Sequence, residues 1–329
     1  MSFFAVFVAL LIEQIKPLPR SNFVHTNLAA WLRWVGHNFN AGRDHHAAVV
    51  WLITVLLPAL LAWGVHVALG QLGVPAALAW DVVVLYLSLG FRQFSHYFTD
   101  IQQALERGDE LQARSLLQQW RSVDTIDLPR DELLRQVIEH ALVAAHRHVF
   151  GVFFWFVAFS ALGLGPAGAV LYRLAEFASR YWLYRAKRVG LPQEDKLMAL
   201  AVNTFSIIDH VPARLTAAGF AVVGNFEEAV NGMRHDARLW GNTNEGVILA
   251  AAAGAVGVRL GGSPGQNLER EAAASPDGDA GLDLPHSGGN TDGLAPQLGH
   301  LRSLVGLVWR SVVLWMLLLA LLSLAKLVG

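Results

Sequence analysis

The stretch LMALAVNTFSIIDHVPARLTAAGFAVVG, residues 197–224, combines membrane-like hydrophobicity with polar groups that a lipid-facing helix avoids. Its middle carries Asn203, Asp209, His210, Pro212 and Arg214. Charged side chains at bilayer depth are costly, so they normally face a cavity or a partner and mark function. Proline removes a backbone N–H, which lipid tolerates only where a neighbouring group satisfies the freed carbonyl. We therefore expect a functional segment here; the alternative is an ordinary membrane helix with an Asp–Arg pair.

The composition indicates a helical membrane protein. Of 329 residues, 54% are hydrophobic and 16% are charged, whereas soluble domains carry about 25% charged residues. The formal net charge of −1 provides no basic field for nucleic acid. The chain contains no cysteine, which excludes disulfides and thiolate chemistry. We predict an all-α, multi-pass integral protein of the cytoplasmic (inner) membrane, with re-entrant or broken helices, the lipid bilayer as its surroundings and no nucleic-acid partner.

Hydrophobic runs place membrane helices in the N-terminal region, residues 1–91. A short first helix precedes a polar connection at residues 17–46, and spans follow at residues 47–70 and 75–91. Pro58 predicts a kink in the first of these spans. Residues 92–148 have helical periodicity and predict a cytoplasmic helical segment, in which Asp109 is a helix N-cap.

Residues 149–262 form the predicted core of the protein. If the apolar run at residues 149–171 simply crossed the membrane, the loop 172–198 with its six basic residues would lie outside, against the positive-inside rule. We therefore predict a re-entrant hairpin bent at Gly165–Pro166, and an ordinary span with an atypical loop is the alternative. Residues 263–297 are rich in Gly, Pro and Asp and predict a disordered loop. Residues 298–329 close the chain as a last membrane helix.

Generic catalytic motifs are of little help. The sequence has neither a Walker A lysine loop nor an HExxH zinc motif. His140, His146 and His148 are not spaced to converge on one metal ion from a helix, so we predict no histidine metal site.

Longer motifs occur in a characteristic series. They are ALERGDELQARSLLQQW followed by Asp-Thr at residues 104–125, Glu139 sixteen residues before Trp155, Tyr172–Arg173, VPARLTA at 211–217, NEGVILAAAAGAVGVRLGG at 244–262, and Pro296 with Leu298–Gly299. In this order they resemble the CobD/CbiB family of integral membrane proteins and its AmpE-like relatives. The resemblance covers most of the chain apart from the extreme N-terminus and residues 263–295.

The resemblance implies a chemistry. Family members of this type join an aminopropanol-type amine, usually phosphorylated, to a carboxylate of the corrinoid ring during cobalamin synthesis. Such an amide-forming ligase would use ATP and Mg²⁺, with Arg or Lys to hold phosphate and carboxylate groups and acidic residues to hold the metal.

The chain departs from the family at the acidic positions. In place of the family's ENxxDG it has Val143, Ala144, Arg147 and His148. Glu176 and Ser179 stand at the Asn and Asp positions of the family's YRxxNTxDS, and Phe205 and Ser206 replace its Asp pair. Losing carboxylates and gaining an arginine converts a metal-binding pocket into a more basic one.

Two functions follow as hypotheses. The first is an AmpE-like accessory or signalling membrane protein that binds an anionic ligand, corrinoid or otherwise, with no certain cofactor. The second is an active synthase that uses ATP and Mg²⁺, with Glu139, Glu176 and Asp209 as a rearranged acidic set. For the pocket we predict Glu139, Arg147, Arg173, Glu176, Arg180, Asp209, Arg214, Asn244 and Arg259.

Overall fold

The computed structural model describes residues 2–15, 23–39, 44–121, 128–189, 196–241, 243–262 and 290–328. Within these ranges the chain forms helices and no β-strand longer than an isolated bridge, which confirms the all-α prediction. The first helices are α1 (Ser2–Ile15), α2 (Phe23–Phe39), α3 (Asp44–Trp51), α4 (Leu57–Gly70), α5 (Val74–Ser88), α6 (Phe91–Glu106) and α7 (Glu110–Arg121).

The remaining helices follow in chain order. They are α8 (Arg130–Ala145), α9 (Gly151–Ala161), α10 (Ala167–Val189), α11 (Lys196–Val223), α12 (Phe226–His235), α13 (Asn244–Val256) and α14 (Leu298–Val328). Two π-helical turns, Leu52–Leu56 and His146–Phe150, join α3 to α4 and α8 to α9, and a 3₁₀ turn, Asp236–Trp240, follows α12.

Three helical stretches of the described chain are long and apolar enough to cross a membrane: His46–Gly70, Arg130–Ala161 and Leu298–Ala325. The first and last agree with the predicted spans. The helices Ser2–Ile15 and Val74–Ser88 are apolar but shorter. A π-helical turn lies directly before Pro58, the position at which the sequence predicted a kink.

Two parts of the sequence interpretation differ from the structure. The polar connection at residues 17–46 contains a regular helix, α2. The helix that begins at Arg130 does not end near residue 148, because neither Gly nor Pro occurs between residues 131 and 150 to stop it. It continues through the π turn into α9, so residues 130–148 and the first part of the apolar run after them form one continuous helix. The cytoplasmic position of residues 92–148 stays a prediction.

Local sequence signals account for several helix ends. The Asp109 side chain accepts a hydrogen bond from the Gln112 N–H at 2.9 Å, which is the predicted N-cap of α7. Gly108 before it has φ +78°, a conformation that favours glycine. Thr243 caps α13 by accepting from the Gly246 N–H at 3.0 Å.

The chain turns back between α9 and α10 at the predicted position. Gly165 and Pro166 lie in this turn, and the Ser160 hydroxyl donates to the Gly165 carbonyl at 3.4 Å. The structure therefore contains the hairpin; its re-entrant depth in a bilayer stays a prediction.

The chain folds into two compact units, which we describe separately. The first unit comprises Met1–Arg92, Arg147–Asp209 and Leu319–Gly329. Inside it α5 packs on α1 and α4, and α10 packs on α4 and α9. These helix pairs form the frame for one group of the predicted site residues.

The second unit comprises Gln93–His146 and His210–Leu318. Here α13 packs against α12, α8 and the 3₁₀ turn. Its core includes small residues on α11, α13 and the 3₁₀ turn, with the partly buried Met233 packed against them: Ala217, Ala237, Val247, Ala250 and Ala251. Small side chains allow helices to approach closely.

Candidate functional site

The predicted site residues fall into two groups. One group lies in the first unit: Arg147, Arg173, Glu176, Arg180 and Asp209. The other lies in the second unit: Glu139, Arg214, Asn244 and Arg259. We describe each group within its own unit.

Glu176 is the centre of the first group, and its side chain is fully buried. On α10, Arg173 and Arg180 stand three residues before and four residues after it, so helical periodicity puts all three on one face. The Arg173 Nη1 donates to Glu176 Oε2 at 2.6 Å, and the Arg180 Nη2 donates to the same oxygen at 3.1 Å. The Arg180 Nε pairs with Glu176 Oε1.

A third guanidinium reaches this carboxylate from the π turn before α9. Arg147 Nε lies 3.9 Å from Glu176 Oε1. The family's ENxxDG motif has a different residue at this position, so the substitution by arginine brings positive charge directly to Glu176. We call Arg147, Arg173, Glu176 and Arg180 the arginine cluster.

Asp209 lies in the same unit and accepts a hydrogen bond from the Tyr172 hydroxyl at 2.8 Å. Tyr172 is completely buried, and it directly precedes Arg173 of the arginine cluster on α10. Its ring fills the space beside Gly151, where a Cβ would come within 2.1 Å of the ring. Tyr172 therefore joins Asp209 to the arginine cluster. Sequence reasoning placed it in the YR motif but did not select it as a site residue.

A cavity of about 360 Å³ adjoins the arginine cluster in the first unit. Arg173 is part of its lining, and the remaining lining residues are apolar except for Ser88. Apolar cavities with a few polar groups are the usual setting for small-molecule sites. The cluster thus has neighbouring space that suits the apolar part of a ligand.

Glu139 belongs to the second group, and it is also buried. Its Oε1 accepts the Gly261 N–H at 2.7 Å and a hydrogen bond from Arg135 Nη1 at 2.9 Å. Gly261 belongs to GVRLGG and has φ +90°. Glu139 therefore holds a backbone group of this motif. Sequence reasoning missed Arg135, although its spacing of four residues from Glu139 on one helix was a usable signal.

Residues 290–297 complete the GVRLGG arrangement. The Thr291 hydroxyl accepts the Leu260 N–H at 2.9 Å, and the Thr291 N–H donates to the Leu260 carbonyl at 2.8 Å. The Arg259 N–H donates to the Leu294 carbonyl at 2.8 Å. These residues were predicted to belong to a disordered loop, so the paired backbone corrects the extent of that segment; residues 263–289 lie outside the described residues.

The other predicted residues of this unit make separate contacts. Arg214 Nη1 donates to Asn244 Oδ1 at 3.1 Å and to the His210 carbonyl at 2.9 Å, which connects α11 to α13. The Arg259 side chain is exposed, and the bonds that define its place are backbone bonds. None of these hydrogen bonds joins Arg214 or Arg259 to Glu139.

A polar cavity of about 270 Å³ lies at the start of GVRLGG. Its lining includes Asn225, Glu228, Asn231, Asp236 and Asp292. Burial raises the pKa of Asp236, and the neighbouring Asp292 carboxylate raises it further. This cavity is lined by acidic side chains, whereas the arginine cluster is rich in basic ones.

In the described part of the chain, the acidic residues predicted for the site do not fit the Mg²⁺ of a synthase. Among the residues that the structure describes, no group of three or more His, Asp or Glu side chains is placed to hold a metal ion. Glu139 binds Gly261 and Arg135, Glu176 binds arginines, and Asp209 binds Tyr172. Magnesium requires oxygen ligands in near-octahedral geometry, and these carboxylates already serve other partners. What the arrangement favours chemically is the binding of a carboxylate or phosphate by guanidinium groups.

Comparison with known proteins points to the same family as the sequence motifs. Residues 2–276 match the family described as CobD/Cbib protein. The Cobalamin biosynthesis protein CobD of Stutzerimonas stutzeri is 31% identical over 323 residues, which covers 96% of each chain. The protein of the same name from Chromobacterium violaceum is 34% identical over 204 residues, 62% of this chain and 60% of the relative. No solved structure matches the chain. From its motifs, its helical architecture and these matches, the chain belongs to the CobD/CbiB family.

Proposed function

We propose that this protein acts in cobalamin biosynthesis as a membrane protein that binds an anionic corrinoid at the arginine cluster without the synthase reaction. The observation that carries this proposal is the convergence of Arg147, Arg173 and Arg180 on one buried carboxylate, Glu176. The name of the Stutzerimonas stutzeri relative, which aligns over 96% of its length, supports the pathway.

Charge is the reason why the cluster suits an anion. Guanidinium groups bind carboxylates and phosphates through paired, charge-assisted hydrogen bonds. In the low dielectric of a buried site each such bond is stronger than in water. Corrinoid precursors carry carboxylate groups, and Arg173 of the cluster also lines an apolar cavity that offers room for the apolar part of such a ligand. In this role the protein binds a ligand and does not catalyse the synthase reaction, and the AmpE-like accessory role is one example of such a function.

A second function, the ATP-dependent synthase, is favoured by the alignment over 96% of a relative named Cobalamin biosynthesis protein CobD. It would need an acidic metal site, and the internal pairing of Glu139, Glu176 and Asp209 speaks against one built from these residues. The two functions therefore differ in whether ATP–Mg²⁺ binds and whether an amide forms.

Calorimetry on the detergent-purified protein tests the proposal with adenosylcobyric acid and with ATP–Mg²⁺. We expect micromolar binding of adenosylcobyric acid, no binding of ATP–Mg²⁺, and no amide product after addition of aminopropanol phosphate. Binding of both, with product, would establish the synthase instead. Absence of adenosylcobyric acid binding would remove the corrinoid from the proposal.

A pair of variants locates the ligand. Arg180→Lys keeps one positive charge but cannot make the paired bonds of a guanidinium, so we expect about tenfold weaker binding. Arg302→Lys is the control, because Arg302 is exposed and pairs with Glu106 in the second unit. Equal affinities of the two variants would place the ligand away from the arginine cluster.

A further inference from the structure

Two prolines inside apolar helices share an unusual compensation. A proline cannot donate to the carbonyl four residues before it, so Pro58 leaves Thr54 and Pro212 leaves Ile208 without that donor. In both places a tryptophan from another helix supplies an N–H. Trp31 Nε1 donates to the Thr54 carbonyl at 3.4 Å, and Trp155 Nε1 donates to the Ile208 carbonyl at 3.2 Å. At Pro212 the sequence predicted that the freed carbonyl must find a partner, and the structure identifies Trp155 as that partner.

The second of these bonds lies beside the candidate site. Ile208 directly precedes Asp209, whose carboxylate accepts the Tyr172 hydroxyl. The rotation of α11 at Ile208 therefore sets the direction in which Asp209 points. Trp155, on α9, holds that rotation through the Ile208 carbonyl.

Trp155 is also in close contact with the helix that carries Tyr172. At Gly168 on α10 a Cβ would lie 2.0 Å from the Trp155 carbonyl oxygen, so α9 and α10 touch at backbone distance there. Gly168 is one helical turn before Tyr172. Trp155 is thus in contact with both α10 and α11, the two helices that supply the Tyr172–Asp209 hydrogen bond.

We propose that Trp155 is a positioning residue of the anion-binding site, which it serves by fixing Asp209 against Tyr172. The site itself rests on the proposed function. Trp155 does not touch the ligand in this proposal; it acts through Ile208 and Asp209. If Trp155 only satisfied the Ile208 carbonyl, any other hydrogen-bond donor to that carbonyl could replace it without a change in ligand binding.

Pro212 makes it possible to separate these roles. Pro212→Ala restores a backbone N–H that can donate to the Ile208 carbonyl, while Trp155→Phe removes the indole donor and keeps an aromatic ring. The double variant therefore has a satisfied carbonyl but no connection from α9. Pro212→Ala alone controls for straightening of the helix, and Trp63→Phe controls for loss of an indole in the same unit, since Trp63 is exposed.

The experiment measures thermal stability, adenosylcobyric acid affinity and the ¹⁹F NMR signal of Tyr172 in protein labelled with 3-fluorotyrosine. The chain has five tyrosines, and Tyr172→Phe assigns the signal. We expect Trp155→Phe to lower the midpoint of thermal unfolding, to shift the Tyr172 signal and to weaken binding about tenfold. In the double variant the midpoint should return to the wild-type value, while the shifted signal and the weak binding should persist.

Recovery of all three measurements in the double variant would overturn the proposal, because satisfaction of the carbonyl would then be the whole role. An unchanged Tyr172 signal in Trp155→Phe would overturn it as well. The ¹⁹F signal does not depend on any ligand. If the wild type fails to bind adenosylcobyric acid while the signal behaves as expected, Trp155 still positions Asp209 and the proposed function is the part that fails.

Discussion

Glu176 and Glu139 are both buried glutamates, yet the two units use them differently. Glu176 is surrounded by the guanidinium groups of Arg147, Arg173 and Arg180. Glu139 binds one arginine and the backbone N–H of Gly261. In the first unit a carboxylate keeps positive charges together; in the second unit a carboxylate holds a loop.

The two sets of contacts indicate at which glutamate the negative charge is needed for stability. A carboxylate among several arginines offsets positive charge that would otherwise repel itself in a low-dielectric interior. A carboxylate on a backbone N–H acts mainly as a hydrogen-bond acceptor, and a neutral oxygen can take its place. The comparison therefore predicts that a neutral side chain with an acceptor oxygen is tolerated at position 139 but not at position 176.

The largest effect is expected for Glu176→Gln. It removes the negative charge from three guanidinium groups, so the unfolding free energy should fall by about 3–5 kcal/mol. The measurement is chemical unfolding in detergent. Glu106→Gln serves as the control, since Glu106 lies at the surface where it pairs with the exposed Arg302, and this variant should lose little stability. Equal losses in the two variants would mean that burial of Glu176 adds nothing.

Glu139→Leu should have an intermediate effect. It removes the acceptor of the Gly261 N–H, and an unsatisfied buried donor costs about 1–3 kcal/mol. Amide hydrogen exchange at Gly261 should become faster. Glu139→Gln is the matched variant, because its amide oxygen can still accept, and exchange should stay close to that of the wild type. Fast exchange in Glu139→Gln would show that charge matters in the second unit too.

Replacing residues 264–288 with a short Gly/Ser linker should change stability by about 1 kcal/mol or less, because closure entropy depends only weakly on loop length. The flanking residues stay joined through Thr291 and Leu260. Thr291→Val removes the acceptor for the Leu260 N–H and should cost about 1 kcal/mol. A larger loss from the linker than from Thr291→Val would show that the replaced residues help to hold GVRLGG.

The smallest effect concerns pH. Burial and Asp292 raise the pKa of Asp236 above its ordinary value of 3.8. A carboxyl whose folded-state pKa is raised favours folding while it is protonated, and this contribution is lost as pH rises through the raised pKa. Asp236→Asn should therefore match the wild type below pH 3.8 and exceed it at neutral pH, by less than about 1 kcal/mol since the group is partly exposed. Thermal unfolding of both proteins at both pH values checks this. A wild type that is more stable than Asp236→Asn at neutral pH would contradict it.

Several features were predictable from sequence because their causes are local. The N-cap at Asp109 needs only a short side chain next to a helix start, and the chain reversal at Gly165–Pro166 needs only residues that break helices. The hydrophobic runs predicted the spans at residues 47–70 and 298–329 by length alone. The continuation of the helix beyond residue 148 was missed because polar histidines and Arg147 masked an uninterrupted helical sequence.

Hydrophobic patterning was sufficient to predict the helical membrane architecture, and VPARLTA and GVRLGG were sufficient to predict the family. The contacts between charged side chains depend on how the helices pack. Glu139 and Gly261 are 122 residues apart, and Asp209 and Tyr172 are 37 residues apart. Periodicity and composition describe a helix and its faces, but they carry no information on which faces pack together. Packing divided the predicted site residues between two units and brought three arginines to Glu176. It also placed the Trp155 indole N–H against the Ile208 carbonyl.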